Sequence, residues 1–141
     1  MLPIHRVNWE DFIKELKCLA GKIEEAPDLI VGISRGGLVP ARLLATYLKV
    51  KDLHCLSVRK IGGERKVVTE ITDDIRGKRI LLVEDMLETG KSLIVAKKHL
   101  ESKAALVKTA CLYTMPVSEI EPDFFLRQVK EIEKFPWESE S

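Results

Sequence analysis

The chain has 141 residues, 45% apolar and 32% charged, a balance that suits one globular domain with a sizeable core. A formal net charge of +1 excludes a global field that would recruit nucleic acid or a membrane surface, so any anion site must be built locally. Cys18, Cys55 and Cys111 are far apart in apolar contexts, which argues against a disulfide framework or zinc cluster and predicts reduced, packed thiols in a cytoplasmic protein without signal peptide or membrane span.

Asn8 is a good N-cap with Asp11 three residues on, and Phe12, Ile13, Leu16, Leu19, Ala20 and Ile23 recur at helical spacing. This predicts a first helix to about Glu25, broken by Pro27-Asp28. Leu29 to Ile33 is a short apolar run, the mark of a strand covered on both faces. It ends in Ser34-Arg35-Gly36-Gly37, and a second helix is predicted from about Leu38 to Leu48. Leu53 to Val58 reads as a strand, the charged, glycine-bearing stretch 59–66 as a mobile loop, and Val67 to Ile71 as a return strand. Asp73 to Lys78 is a turn. Arg79 to Val83 is the clearest buried strand; a loop from Glu84 to Gly90 follows it, then a helix to about Leu100. Ala105 to Tyr113 is one more strand. The tail from Pro116 has mixed signals, and its end, 138–141, is polar and expected to fray. Strand, loop and helix in alternation predict a parallel sheet with helices on both faces, whose ligands bind where loops leave the carboxyl ends of the strands.

Two loops at that edge carry unusual chemistry. In the first, Glu84, Asp85 and Glu88 follow a buried strand, and Thr89-Gly90-Lys91-Ser92 opens a helix. Amides at a helix N-terminus bind phosphate well, and adjacent carboxylates accept hydrogen bonds from vicinal hydroxyls. The loop thus offers one end to a phosphate and the other to a sugar, as a ribose 5-phosphate requires. Gly90-Lys91-Ser92 ends like a nucleoside-triphosphate-binding P-loop, but that motif needs a glycine where Asp85 stands, and a carboxylate there repels a triphosphate. In the second loop, Gly36 and Gly37 let the backbone approach a ligand and Arg35 brings a fixed fork of donors, a plausible diphosphate cradle.

The segment from Ile80 to Ser92 resembles the ribosylpyrophosphate-binding motif of type I phosphoribosyltransferases, with the Glu-Asp pair closest to the hypoxanthine-guanine members. Ser34-Arg35-Gly36-Gly37-Leu38-Val39-Pro40 resembles the pyrophosphate loop of the xanthine-guanine members, and Val7-Asn8-Trp9 and Pro136-Trp137-Glu138 extend the similarity to both chain ends. The resemblance implies one α/β domain over residues 1–141, with a mostly parallel sheet of about five strands, flanking helices, and a small hood from residues 1–8 and 115–141. It also implies magnesium-dependent transfer of ribose 5-phosphate from 5-phosphoribosyl-1-pyrophosphate to a nitrogenous base, a 6-oxopurine by the motifs. Glu84 and Asp85 then hold the ribose hydroxyls, with Asp85 near the metal directly or through water. Thr89, Gly90, Lys91 and Ser92 hold the 5-phosphate, and Ser34, Arg35, Gly36 and Gly37 the pyrophosphate. Glu88, usually aspartate in the family, faces the purine imidazole ring. Arg59, Lys60, Arg65 and Lys66 lie where a flexible closing loop is expected. The lysine that reads the purine 6-oxo group is replaced by Met115, and the stacking aromatic falls near Ile132. No nucleic acid or membrane partner is expected, and the assembly expected is a homo-dimer or homo-tetramer. The alternative is a protein of the same fold that senses ribosylpyrophosphate without turnover. His5, His54 and His99 are scattered and expected to serve surface or packing roles, and Trp9 and Trp137 to pack the hood on the core.

Overall fold

The computed structural model describes residues 4–138, so the predicted fraying of 139–141 lies outside the described residues. A short strand, β1 (Ile4–Arg6), precedes helix α1 (Trp9–Lys22). Asn8 starts the helix by accepting a hydrogen bond from the Asp11 amide at 2.8 Å, and Phe12, Leu16 and Leu19 line its buried face. Strand β2 (Leu29–Ser34) and helix α2 (Leu38–Leu48) follow with the expected bounds to within a residue. Strands β5 (Arg79–Val83) and β7 (Leu106–Ala110) flank helix α3 (Lys91–Glu101) in sequence.

The stretch from Leu53 to Val67 departs from expectation. It forms an antiparallel hairpin of β3 (Leu53–Ile61) and β4 (Glu64–Val67), not a loop over 59–66 with a return strand after it. Gly62 and Gly63, with φ of 60° and 84°, make the two-residue turn, a backbone that favours glycine at both positions. The predicted strand from Ala105 to Tyr113 also divides: β7 stays in the main sheet, and β8 (Tyr113–Thr114) joins a second one.

The main sheet has five strands in the order β4-β3-β2-β5-β7, with all pairs parallel except the β3–β4 hairpin. The mostly parallel α/β sheet expected from the sequence is therefore present. Its central strands alternate strictly between two cores. Ile30, Leu81 and Val83 meet Phe12, Leu16 and Leu44 from α1 and α2. Val31, Ile33, Ile80 and Leu82 meet Leu93, Ala96 and Leu100 from α3. A strand buried on both faces must be apolar at every position, which is why β2 and β5 read as uninterrupted apolar runs.

Two small sheets complete the chain. One joins β6 (Met86–Leu87), β8 and β9 (Arg127–Gln128). The other pairs β1 in parallel with β10 (Ile132–Lys134), bringing the ends of the described chain together. Phe135 continues from β10 and stacks between Tyr113 and Trp137, at centroid distances of 5.6 and 4.9 Å. Trp137 also meets the edge of Phe12 at 4.8 Å, so the C-terminal segment is fastened to α1 by aromatic contacts. Trp9 is half exposed and lies at the rim of this cluster. Cys111 is buried, but Cys18 and Cys55 are exposed free thiols, which corrects the expectation of three packed ones. No helix among the described residues is long and apolar enough to cross a membrane.

Candidate active site

Parallel strands β2 and β5 are neighbours, and the segments leaving their carboxyl ends are the two loops singled out in the sequence. The loops touch. A Cβ built on Gly36 would lie 2.5 to 2.8 Å from the carboxylate atoms of Asp85, and one on Gly37 would collide with the carbonyl oxygen of Val83. Only glycine permits this approach, a structural reason for both glycines of Ser34-Arg35-Gly36-Gly37. The Ser34–Arg35 peptide is cis. The Ser34 hydroxyl is 2.6 Å from that of Ser57 on β3, while Arg35 extends into solvent. Helix α2 then begins at Gly37 with no side-chain cap.

Beyond β5, Glu84 and Asp85 are held by the backbone around them. The Glu84 amide donates to Ala110, the Leu112 amide donates to the Asp85 carbonyl, and Asp85 Oδ1 accepts from the Met86 amide at 2.6 Å. Both residues keep some exposed surface, yet their carboxyl groups sit in desolvated surroundings. Burial pushes the pKa of Glu84 up, helped by the Asp85 charge, and burial likewise raises that of Asp85, helped by Glu138. Among the described residues no basic side chain offsets either shift, so an external cation or a set of hydroxyl donors is the natural partner. Glu138 gave no sequence signal as a site residue. Its approach depends on the fastening of the C-terminal segment by Phe135 and Trp137, a long-range contact.

The turn Thr89-Gly90-Lys91-Ser92 leads into α3. Gly90 has φ of 76°, and a Cβ there would lie 2.7 Å from the Ile120 side chain and 2.8 Å from the Ser118 hydroxyl. The helix has no side-chain cap; the Lys91 amide reaches Thr89 Oγ1 only at 3.4 Å. Its first amides are thus open to an anion. Glu88 is exposed immediately before the turn.

The small sheet adds a row of its own. β6 and β8 pair with Met86 opposite Tyr113, and β8 and β9 with Tyr113 opposite Arg127. Hydrogen bonds from the Met115 amide to Leu87 and from the Val129 amide to Thr114 carry both ladders one step further. Glu88, Met115 and Val129 therefore leave the sheet side by side. Met115 is buried, in one core with Tyr113, Val129 and Phe135. Ile132 lies elsewhere, on β10 opposite Ile4. Arg59 and Lys60 are on β3, Arg65 and Lys66 on β4; Lys60 and Arg65 share a concavity with Lys91 of the turn before α3.

Comparison with known proteins agrees with this arrangement. Residues 7–141 match the phosphoribosyl transferase domain family. The hypoxanthine-guanine phosphoribosyltransferase of Lactococcus lactis is 29% identical over 134 residues, covering 84% of this chain and 72% of that protein. The xanthine-guanine phosphoribosyltransferase of Desulfotalea psychrophila is 29% identical over 144 residues, covering 96% and 86%. The crystal structure of a purine phosphoribosyltransferase from Pyrococcus horikoshii superposes with a TM-score of 0.91 at 30% identity, covering 96% of this chain and 94% of that one. With the two loops in contact at the sheet edge and the match spanning nearly the whole chain, the protein belongs to the phosphoribosyl transferase domain family.

Proposed function

We propose that this protein transfers ribose 5-phosphate from 5-phosphoribosyl-1-pyrophosphate to a 6-oxopurine, with magnesium, and releases pyrophosphate. The observation that carries the reading is the desolvated Glu84–Asp85 pair, without a cationic partner, between a glycine loop and an open helix N-terminus. In this reading Glu84 and Asp85 accept hydrogen bonds from the ribose hydroxyls. Thr89, Gly90, Lys91 and Ser92 bind the 5-phosphate, while Ser34, Arg35, Gly36 and Gly37 take the pyrophosphate. Glu88 faces the imidazole ring of the base and accepts or shares its proton. Met115 stands in for the group that would read the base, while Ile132, on β10 away from the row of Glu88, Met115 and Val129, takes no part in this reading. The functional unit is one domain, with its hood formed by the chain ends, and the assembly a homo-dimer or homo-tetramer.

The donor set fits magnesium. Among the described residues no group of three or more His, Cys, Asp or Glu side chains is placed to hold a metal ion. A small hard cation that binds mainly through substrate oxygens and water needs only one or two carboxylates, and Asp85 supplies one. The cation would neutralise charge on the diphosphate. The protein's own task is positioning: the sugar is held by its hydroxyls and 5-phosphate while the C1–O bond loosens, positive charge builds on the ring, and a base nitrogen attacks.

Binding without turnover is the second reading, and one observation favours it. Met115 cannot donate a hydrogen bond to a 6-oxo oxygen, and it is buried in the core. Calorimetry with ribosylpyrophosphate and magnesium tests the part common to both readings. Asp85→Asn should weaken binding by about tenfold or more, since hydrogen bonds to a charged group contribute about 1.5–3 kcal/mol. Unchanged affinity would remove the assignment.

A further inference from the structure

Arg127 on β9 joins three parts of the molecule, and nothing above assigns it a role. Its guanidinium carbon lies 4.3 Å from the centre of the Tyr113 ring. One terminal nitrogen is 3.6 Å from Glu15 on α1, and the other is 3.5 Å from Glu133 on β10. Glu133 and Tyr113 are buried while the Arg127 side chain is 46% exposed, so the guanidinium lies across the boundary between core and solvent. The hydroxyl of Tyr113 and Oε2 of Glu15 are both buried, and burial together with the neighbouring Glu15 carboxylate raises the pKa of the phenol. The planar guanidinium covers the ring and meets both carboxylates.

Tyr113 and Arg127 stand opposite each other on the small sheet. One step along the same two strands, Met115 and Val129 stand beside Glu88. Tyr113 also stacks on Phe135, at 5.6 Å between ring centroids. A shift of the Tyr113 ring is thereby passed to the row expected to face the base.

We propose that Arg127 is a positioning residue for the base subsite, acting through Tyr113 by bridging α1 and β10 over the small sheet. The proposal rests on the transferase reading above. Lysine cannot replace arginine here, because a point charge neither stacks flat on the ring nor reaches two carboxylates with one rigid fork.

The test compares wild type, R127K and R127M by KM for hypoxanthine, dissociation constant for ribosylpyrophosphate with magnesium, and thermal melting. Base KM should rise about tenfold or more in both variants, the scale expected of a small misplacement near the reacting groups. Ribosylpyrophosphate affinity should stay at the wild-type value, and R127K should give no rescue. Parallel losses of base and ribosylpyrophosphate affinity would make Arg127 a general structural residue and overturn the proposal. So would a wild-type KM in either variant. Should R127M fail to fold, R127K and Glu15→Gln decide by the same split. Wild-type protein that turns over no base removes the transferase reading together with this proposal, whereas wild-type turnover with unmoved variants removes this proposal alone.

Discussion

Gly36 and Asp85 face each other across the junction of the two loops, with room for a hydrogen but not a methyl group: an added Cβ would lie 2.5 Å from Asp85 Oδ2. The Ser34–Gly37 loop and the Glu84–Asp85 pair are therefore set against one another. Gly36→Ala should destabilise the fold by about 1–3 kcal/mol, as overpacking does. Asp85→Ala removes the obstacle, so the same substitution in that background should cost less. The coupling in a double-mutant cycle, read by chemical denaturation, should reach about 0.5–3 kcal/mol. Additive losses would mean that the contact does not set the loop.

The carboxylate pair makes a signed pH prediction. Burial raises Glu84 from 4.5 to about 8, and Asp85 from 3.8 to about 6. The native state then holds protons that the unfolded chain has already released. The associated stability is fully present below the unfolded values and is lost as pH rises through about 6 and then about 8. Melting temperature of the ligand-free protein should fall over this range, and Glu84→Gln should flatten the upper part of the fall. Identical pH profiles for the two proteins would contradict the desolvated placement of Glu84.

The turn Thr89-Gly90-Lys91-Ser92 depends on Gly90. Gly90→Val meets the Ile120 and Ser118 side chains and a backbone φ of 76° that a branched residue adopts badly. Binding of inorganic phosphate, followed by phosphorus NMR, should be abolished in this variant. In Ser92→Ala it should only weaken, because the open amides of α3 remain. Wild-type phosphate binding by Gly90→Val would place the anion elsewhere.

The positions of the two loops were legible because each is local. Glu84 to Ser92 and Ser34 to Gly37 are continuous segments, each leaving a strand whose burial on both faces writes an unbroken apolar run. The hairpin of β3 and β4 was missed because an edge ladder tolerates charge. Arg59, Lys60, Arg65 and Lys66 look like loop residues by composition, although Gly62-Gly63 is a two-residue turn signal. The strand expected through Tyr113 divides at Cys111, where an unbroken apolar stretch passes from one sheet to another without a turn residue. The pairing of β1 with β10 joins residues at opposite ends of the chain, and no local pattern encodes it. The same holds for the Glu138 charge that helps raise Asp85 and for the bridge made by Arg127.

Met115 stands where the resemblance implies a lysine, and the structure buries it in the row with Glu88 and Val129. Met115→Lys should lower the melting temperature, because an ammonium is introduced at a core position. It should also raise the rate with at least one of guanine, xanthine or hypoxanthine by supplying a donor for the 6-oxo oxygen. Steady-state rates with the three bases check this, and lower rates with all of them would contradict it.

The central claim is tested most directly by pyrophosphate release from 5-phosphoribosyl-1-pyrophosphate with magnesium and a panel of free bases. A site without a dedicated polar reader for the 6-oxo group should discriminate weakly among purines that carry it. The account predicts slow, loosely selective release with guanine, xanthine and hypoxanthine, and less with adenine or pyrimidines. Faster release with adenine or a pyrimidine than with any 6-oxopurine, or no release with any base, would contradict it.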